Sequence, residues 1–174
     1  MVLHSGDTLR GKIKDRTPEP FGKLFEKIRF KENRFGTKKY APNDILAYGM
    51  ETDVFETHLI SNNSILEETI LRRIAQETKE VAFLKVIVNG RLSYYHREFR
   101  DADSGYYDYQ TYFRKKGETD FFLVPSGIFG IGRKRVANYF SDCPHLAERI
   151  AQGELKGHIK ILEAYEKECG HSGI

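Results

Sequence analysis

At 174 residues, with 40% hydrophobic, 30% charged and 13% aromatic side chains, the chain has the composition of one globular domain or of two small modules, and is too apolar to be disordered. Its 28 basic and 25 acidic residues leave a formal net charge of +3, an excess too small to imply a nucleic-acid partner. No apolar run approaches the roughly 18–20 residues that a helix needs to span a bilayer, and ten Tyr and twelve Phe without Trp lean toward β structure.

Taken in chain order, the turn Ser5-Gly6-Asp7 predicts a first strand over Thr8–Lys14. Phe21–Lys31 predicts a second, with Leu24, Ile28 and Phe30 inward. A turn at Asn33–Gly36 precedes a short strand at Lys38–Tyr40. Pro42-Asn43-Asp44 reads as a turn or a single helical turn, and Ile45–Thr57 returns to strand. Residues 1–60 thus resemble small SH3-like or Sm-like barrels, in which a strand after Gly-Asp bends sharply at a glycine such as Gly11.

Ser61–Thr78 is amphipathic, and its pattern fits either a short helix capped by Asn63 or Ser64 or a loop ending in an edge strand. Val81–Val88 is the strongest strand, followed by Asn89-Gly90, a hairpin signal because both turn residues must accept positive φ. Arg91–Phe99 returns, Asp101–Gly105 turns, and Tyr106–Lys115 and Thr119–Val124 complete a four-stranded antiparallel meander within residues 61–127, sharing the core of the first module.

Pro125–Gly132 reads as a linker and Arg133–Phe140 as the start of a helical tail over residues 128–174. Ser141 or Asp142 is the expected cap of the next helix, with Pro144 in its first turn, Leu146 and Ile150 on one face, and Gly153 at its end. Leu155–Lys167 predicts the last helix, with Ile159, Leu162 and Tyr165 on one stripe. The fold class is α+β: a small SH3/Sm-like β module, a central antiparallel meander and a C-terminal helical hairpin.

The only cysteines, Cys143 and Cys169, fall at the same end of two antiparallel helices that turn near Gln152–Glu154. A bridge would close a loop of about 26 residues and contribute about 3 kcal/mol in the chain-entropy model. The alternative is a pair of unbridged, partly buried thiols. Cys143 and His145 do not make a catalytic pair, because such pairs are assembled by the fold rather than by adjacency. The turn at Asp101–Gly105 has glycine fifth and Tyr112 twelfth, so it misses the spacing of a calcium loop and reads as an ordinary turn. Six scattered histidines form no compact ligand set. Gly127, Gly130 and Gly132 before Arg133-Lys134-Arg135 could meet phosphate at a helix start but read first as a linker. No catalytic residue, metal ligand or cofactor is assigned.

The meander is rich in aromatics: Tyr94, Tyr95, Phe99, Tyr106, Tyr107, Tyr109, Tyr112 and Phe113. Cross-strand packing is the simpler reading of this cluster. If half of it faces outward, Tyr94, Tyr107, Tyr109 and Tyr112 are the candidate ligand-binding residues, able to stack on sugar, peptide or base.

GDTLRGKI, YAPNDILAYG, VAFLKVIVNGRLSYYH and YFSDCPHLAERI with its late cysteine together resemble exported proteins of the Bacteroidetes whose role is unknown. The resemblance covers most of the chain and is most specific at Ser-Asp-Cys-Pro, a helix and a second Cys. It implies a signal peptide and an envelope location, and it supplies no catalytic residues. The start MVLHSGDTLR has no apolar leader core. The expectation is therefore an exported protein, periplasmic or outer-membrane-associated, if a leader has been removed, and a cytoplasmic one otherwise.

The favoured function is a non-enzymatic binding or structural protein of the cell envelope, with an envelope protein or a glycan as partner and nucleic acid disfavoured. One alternative is a nucleic-acid-binding small barrel using Lys12, Lys14, Arg29, Lys31, Lys38 and Lys39, with binding that falls steeply with salt. The other is a hydrolase whose site is assembled from distant carboxylates in a deep pocket.

Overall fold

A computed structural model of the chain describes residues 1–14, 27–32, 36–61, 79–100, 107–125 and 131–169, without the side chains of residues 99, 100, 107 and 131. The fold is α+β. The strands are β1 (Val2–Leu3), β2 (Lys12–Lys14), β3 (Ile28–Lys31), β4 (Lys38–Tyr40), β5 (Ile45–Met50), β6 (Asp53–Ser61), β7 (Lys79–Val88), β8 (Leu92–Arg100), β9 (Tyr107–Lys115) and β10 (Phe122–Val124). The helices are α1 (Ile131–Tyr139), α2 (Pro144–Gln152) and α3 (His158–Glu168). A seven-stranded sheet has the order β1-β5-β6-β7-β8-β9-β10, and a three-stranded sheet the order β2-β3-β4. The four expected meander strands are thus neighbours in sequence order, continuous with β5 and β6. Two compact units emerge: Met1–Val86 with His96–Gln110, and Ile87–Tyr95 with Thr111–Ile174.

In the first unit, Ile28 and Phe30 are buried with Met1, Ile45, Tyr48, Phe55 and Phe83. Tyr48 lies directly opposite Phe55, so their rings stack at 4.6 Å, and Phe83 meets Tyr48 edge-on at 5.0 Å. The single strand expected over Ile45–Thr57 is instead a hairpin, in which Met50 pairs with Asp53 around Glu51 and Thr52. Glu51 takes φ 56°, a left-handed turn conformation that a glutamate does not advertise. The Thr57 hydroxyl donates to the Ile45 carbonyl at 2.7 Å and ties the hairpin together. Of the expected first strand only Lys12–Lys14 is regular. Gly11 stands before it because a Cβ there would lie 2.5 Å from the Lys31 carbonyl oxygen and 2.8 Å from Phe30. Residues 21–26 of the expected second strand, the segment 62–78, the turn 101–105 and the glycines at 127 and 130 lie outside the described residues.

In the second unit, one sheet face supplies Leu92, Tyr94 and Phe113 to a core completed by Val136, Phe140, Leu146, Ile150 and Ile161. Phe140 is fully enclosed, with Phe113 at 6.0 Å and Tyr165 at 5.4 Å. The helix boundaries differ from expectation in two places, the start of α2 and the start of the last helix, and agree at the end of α2. Cys143, rather than Ser141 or Asp142, occupies the cap position of α2, because Pro144 already takes the first turn. Gly153 adopts φ 78° and closes α2 as expected, donating to the Ile150 carbonyl at 3.0 Å. The last helix starts at His158 after Gly157; it buries Ile161, Leu162, Ala164 and Tyr165 on one side and leaves Ile159 on the other, 47% exposed.

Cys143 and Cys169 form a disulfide, with Cα atoms 5.7 Å apart and both residues buried. The Arg149 guanidinium donates to both Glu168 carboxylate oxygens, at 2.6 and 2.8 Å, one residue before the bridge. Replacing Cys143 and Cys169 by serine is expected to cost about 3 kcal/mol for a loop of this length, lowering the melting temperature by roughly 6–12 °C in a chain of this size. A melting temperature unmoved in the double variant, or in the wild type under reductant, would mean that the bridge carries no stability.

Candidate functional site

The four candidate tyrosines do not share a surface. Tyr94 is 5% exposed, with its ring against Phe113 at 5.6 Å and its hydroxyl 3.4 Å from His158 Nδ1. Tyr112 is 1% exposed, edge-on to Phe121 at 6.3 Å. Tyr109 is open, at 52%, and stacks on His96 with centroids 3.9 Å apart. The side chain of Tyr107 lies outside the described residues. The reason is alternation: Tyr109 and Tyr112 are three apart on one strand and face opposite ways. The Tyr112 face is itself covered, for Phe121 packs on Tyr95 at 5.4 Å and the Arg114 guanidinium lies 4.9 Å from the Phe121 ring.

An open cavity of about 630 Å³ lies between the turns that end β7 and β9, lined by charged groups that already serve the fold. Glu166 of α3 accepts the Leu92 N–H at 2.9 Å on one oxygen and Arg91 Nε at 3.0 Å on the other, while the Arg91 guanidinium also reaches the Glu166 carbonyl. Burial works against the Glu166 carboxylate, but the Leu92 N–H and Arg91 outweigh it and hold the group below its ordinary range. Lys115 Nζ donates to Asp142 at 2.6 Å and to the Tyr139 carbonyl at 2.6 Å. The Tyr139 hydroxyl donates to Glu118 at 3.0 Å, and burial followed by that carboxylate's charge raises its pKa. Tyr165 donates to Asp142 at 3.1 Å and is pushed up to about 12, by burial first and Asp142 second.

The glycine of the Asn89-Gly90 hairpin is needed for a reason the motif does not express. Neither residue has positive φ. Instead, a Cβ on Gly90 would stand 2.6 Å from Glu166 Oε1, so glycine leaves room for the carboxylate. No local signal marks this clamp, because its partners are 74 and 75 residues apart.

The basic residues are brought together far more closely. Alternation places Ile28 and Phe30 in the core and Arg29 and Lys31 in solvent. The register sets Lys12 opposite Lys31, Lys14 opposite Arg29, and Arg29 opposite Lys39. Lys14, Arg29 and Lys39 therefore form one row across three strands, with Lys12 and Lys31 as a second. These five cations, with Ile13 and Thr37, line an open groove of about 710 Å³. Among the described residues none of the five has an ion-pair or hydrogen-bond partner for its side chain. Lys38, the sixth cation of the expected set, lies opposite Phe30 and so belongs to the other face. The sequence signal for the groove was the KIK and IRFK alternation, in which charge and apolar residues change places at every step.

Among the described residues no group of three His, Cys, Asp or Glu side chains could hold a metal ion, and no helix is long and apolar enough to cross a membrane. No protein-family model, no curated protein and no solved structure matches this chain.

Two predictions concern the second unit. Glu166→Ala and Gly90→Ala should each cost about 1–3 kcal/mol, the first by orphaning the Leu92 N–H and the second by displacing the carboxylate. If they break one clamp, the double variant costs no more than Glu166→Ala alone; additive costs in a double-mutant cycle would refute the shared origin. The second concerns His158, whose pKa burial lowers. Below the ordinary imidazole value of about 6.5, the unfolded chain binds a proton that folded His158 resists, so this contribution to stability is lost as the pH falls. The melting temperature should drop between pH 7.5 and 5.5, and drop less in His158→Gln; equal slopes in calorimetry would exclude His158 as the source.

Proposed function

We propose that this chain is a non-enzymatic binding protein of the bacterial cell envelope, which engages an anionic partner through the basic face of β2, β3 and β4. In this reading the N-terminal part is a small SH3-like or Sm-like module and the C-terminal part a disulfide-stapled helical hairpin. The observation that carries the proposal is the row Lys14–Arg29–Lys39, with Lys12 opposite Lys31 beside it. Like charges directly opposite one another on a sheet destabilise it, and a bound anion relieves that repulsion. The Cys143–Cys169 bridge supports an oxidising compartment, since such bridges persist in secreted and periplasmic proteins. The sequence resemblance to exported proteins of the Bacteroidetes points the same way.

A second reading, binding of nucleic acid, has one specific observation in its favour: five of the six cations expected for it line the groove.

The test is retention on immobilised dextran sulfate across a salt series. Wild-type protein should bind with a log–log salt slope on the order of 3–5 in magnitude, by analogy with counterion release from other polyanions. Arg29→Glu should abolish retention at moderate salt, while Lys38→Glu, an equal change in net charge, should leave it nearly intact. Equal losses in the two variants would show that net charge, not this face, governs binding and would overturn the proposal.

A further inference from the structure

Resting on the envelope reading, we infer that the ligand of the basic face is an acidic polysaccharide, a single extended chain laid across the three strands. Neighbouring strands lie roughly 4.8 Å apart, so Lys14, Arg29 and Lys39 spread their charges over about 10 Å in a line perpendicular to the strands. The second row, Lys12 and Lys31, is displaced by about 7 Å along the strands. A compact anion reaches one or two of these groups. A linear polymer with one carboxylate or sulfate on each sugar can neutralise a whole row, because its charges recur along one direction at a spacing comparable to that between strands.

The kinds of side chain narrow the class further. Four of the five cations are lysines, which act as compact point charges on flexible stems and tolerate carboxylate and sulfate alike. Arg29 supplies the planar fork that can grip one acidic group at two points, and it holds the central position, with a lysine opposite on each side. Thr37 lies two residues before Lys39 in the groove lining and adds a neutral hydroxyl that can hydrogen-bond to a sugar hydroxyl. The disulfide favours the glycan of two polymers of similar charge, because it fits an oxidising compartment, where surface polysaccharides are within reach.

The experiment uses the full oxidised chain and two probes of equal charge number, an oligogalacturonate and a single-stranded DNA oligonucleotide. Affinities are read by calorimetry at several salt concentrations. Oligogalacturonate should bind at least tenfold more tightly than the oligonucleotide at matched ionic strength. Arg29→Gln and Lys14→Gln should each weaken glycan binding about tenfold and reduce the salt slope by about one, while Lys38→Gln leaves both unchanged. Using both row variants guards against either one failing to fold, which a thermal melt checks. Equal or tighter binding of the oligonucleotide overturns the glycan assignment and leaves the basic face standing as the site. No binding of either probe, or losses in Lys38→Gln equal to those in Arg29→Gln, overturns both the ligand and the site.

Discussion

Along a β-strand each side chain points opposite to its neighbours, and the β2–β3–β4 sheet uses that constraint to part apolar from charged surface in strands of three or four residues. Ile28 and Phe30 can be buried only if Arg29 and Lys31 are not. Pairing then fixes which cations meet, and the register puts lysine against arginine and lysine against lysine. The repulsion between them is the cost of a face that has no anion of its own among the described residues. Gly11 is part of the same arrangement, since its missing Cβ lets the chain pass against the backbone of β3.

The second unit is held by different means. Its core is aromatic around Phe140, and the ends of its helices are fastened by connections that reach far along the chain. The disulfide joins positions 26 residues apart, and the Glu166 carboxylate joins α3 to the strand that begins at Leu92. Burial of a carboxylate is unfavourable unless its oxygens find donors. Glu166 has a backbone N–H on one oxygen and a guanidinium on the other, so the same group that burial would penalise instead ties hairpin to helix.

Much of this was legible in the sequence where local physics decides the outcome. β7 to β10 were readable because β-branched and aromatic runs alternate with turn residues, and α2 because Pro144 and Gly153 punctuate it. The β5–β6 turn was not readable, since Glu51 enters the left-handed region without glycine or asparagine to announce it. Ile159 was misplaced because the buried stripe of the last helix runs through Ile161, Leu162, Ala164 and Tyr165, and at about 100° per residue Ile159 falls on the opposite side. The tyrosine face failed on parity, as Tyr109 and Tyr112 cannot point the same way, and Lys38 left the cation set for a related reason, facing with Phe30 rather than with Arg29. The role of Gly90 could not be found at all, because the group that needs its space comes from a helix near the other end of the chain.

The formal net charge of +3 conceals a strong asymmetry. Without the five cations of the groove, the rest of the chain carries −2. Five like charges gathered on one face of a small sheet give it a local positive field larger than the net charge suggests, so an anion that comes near is drawn toward that face before contact.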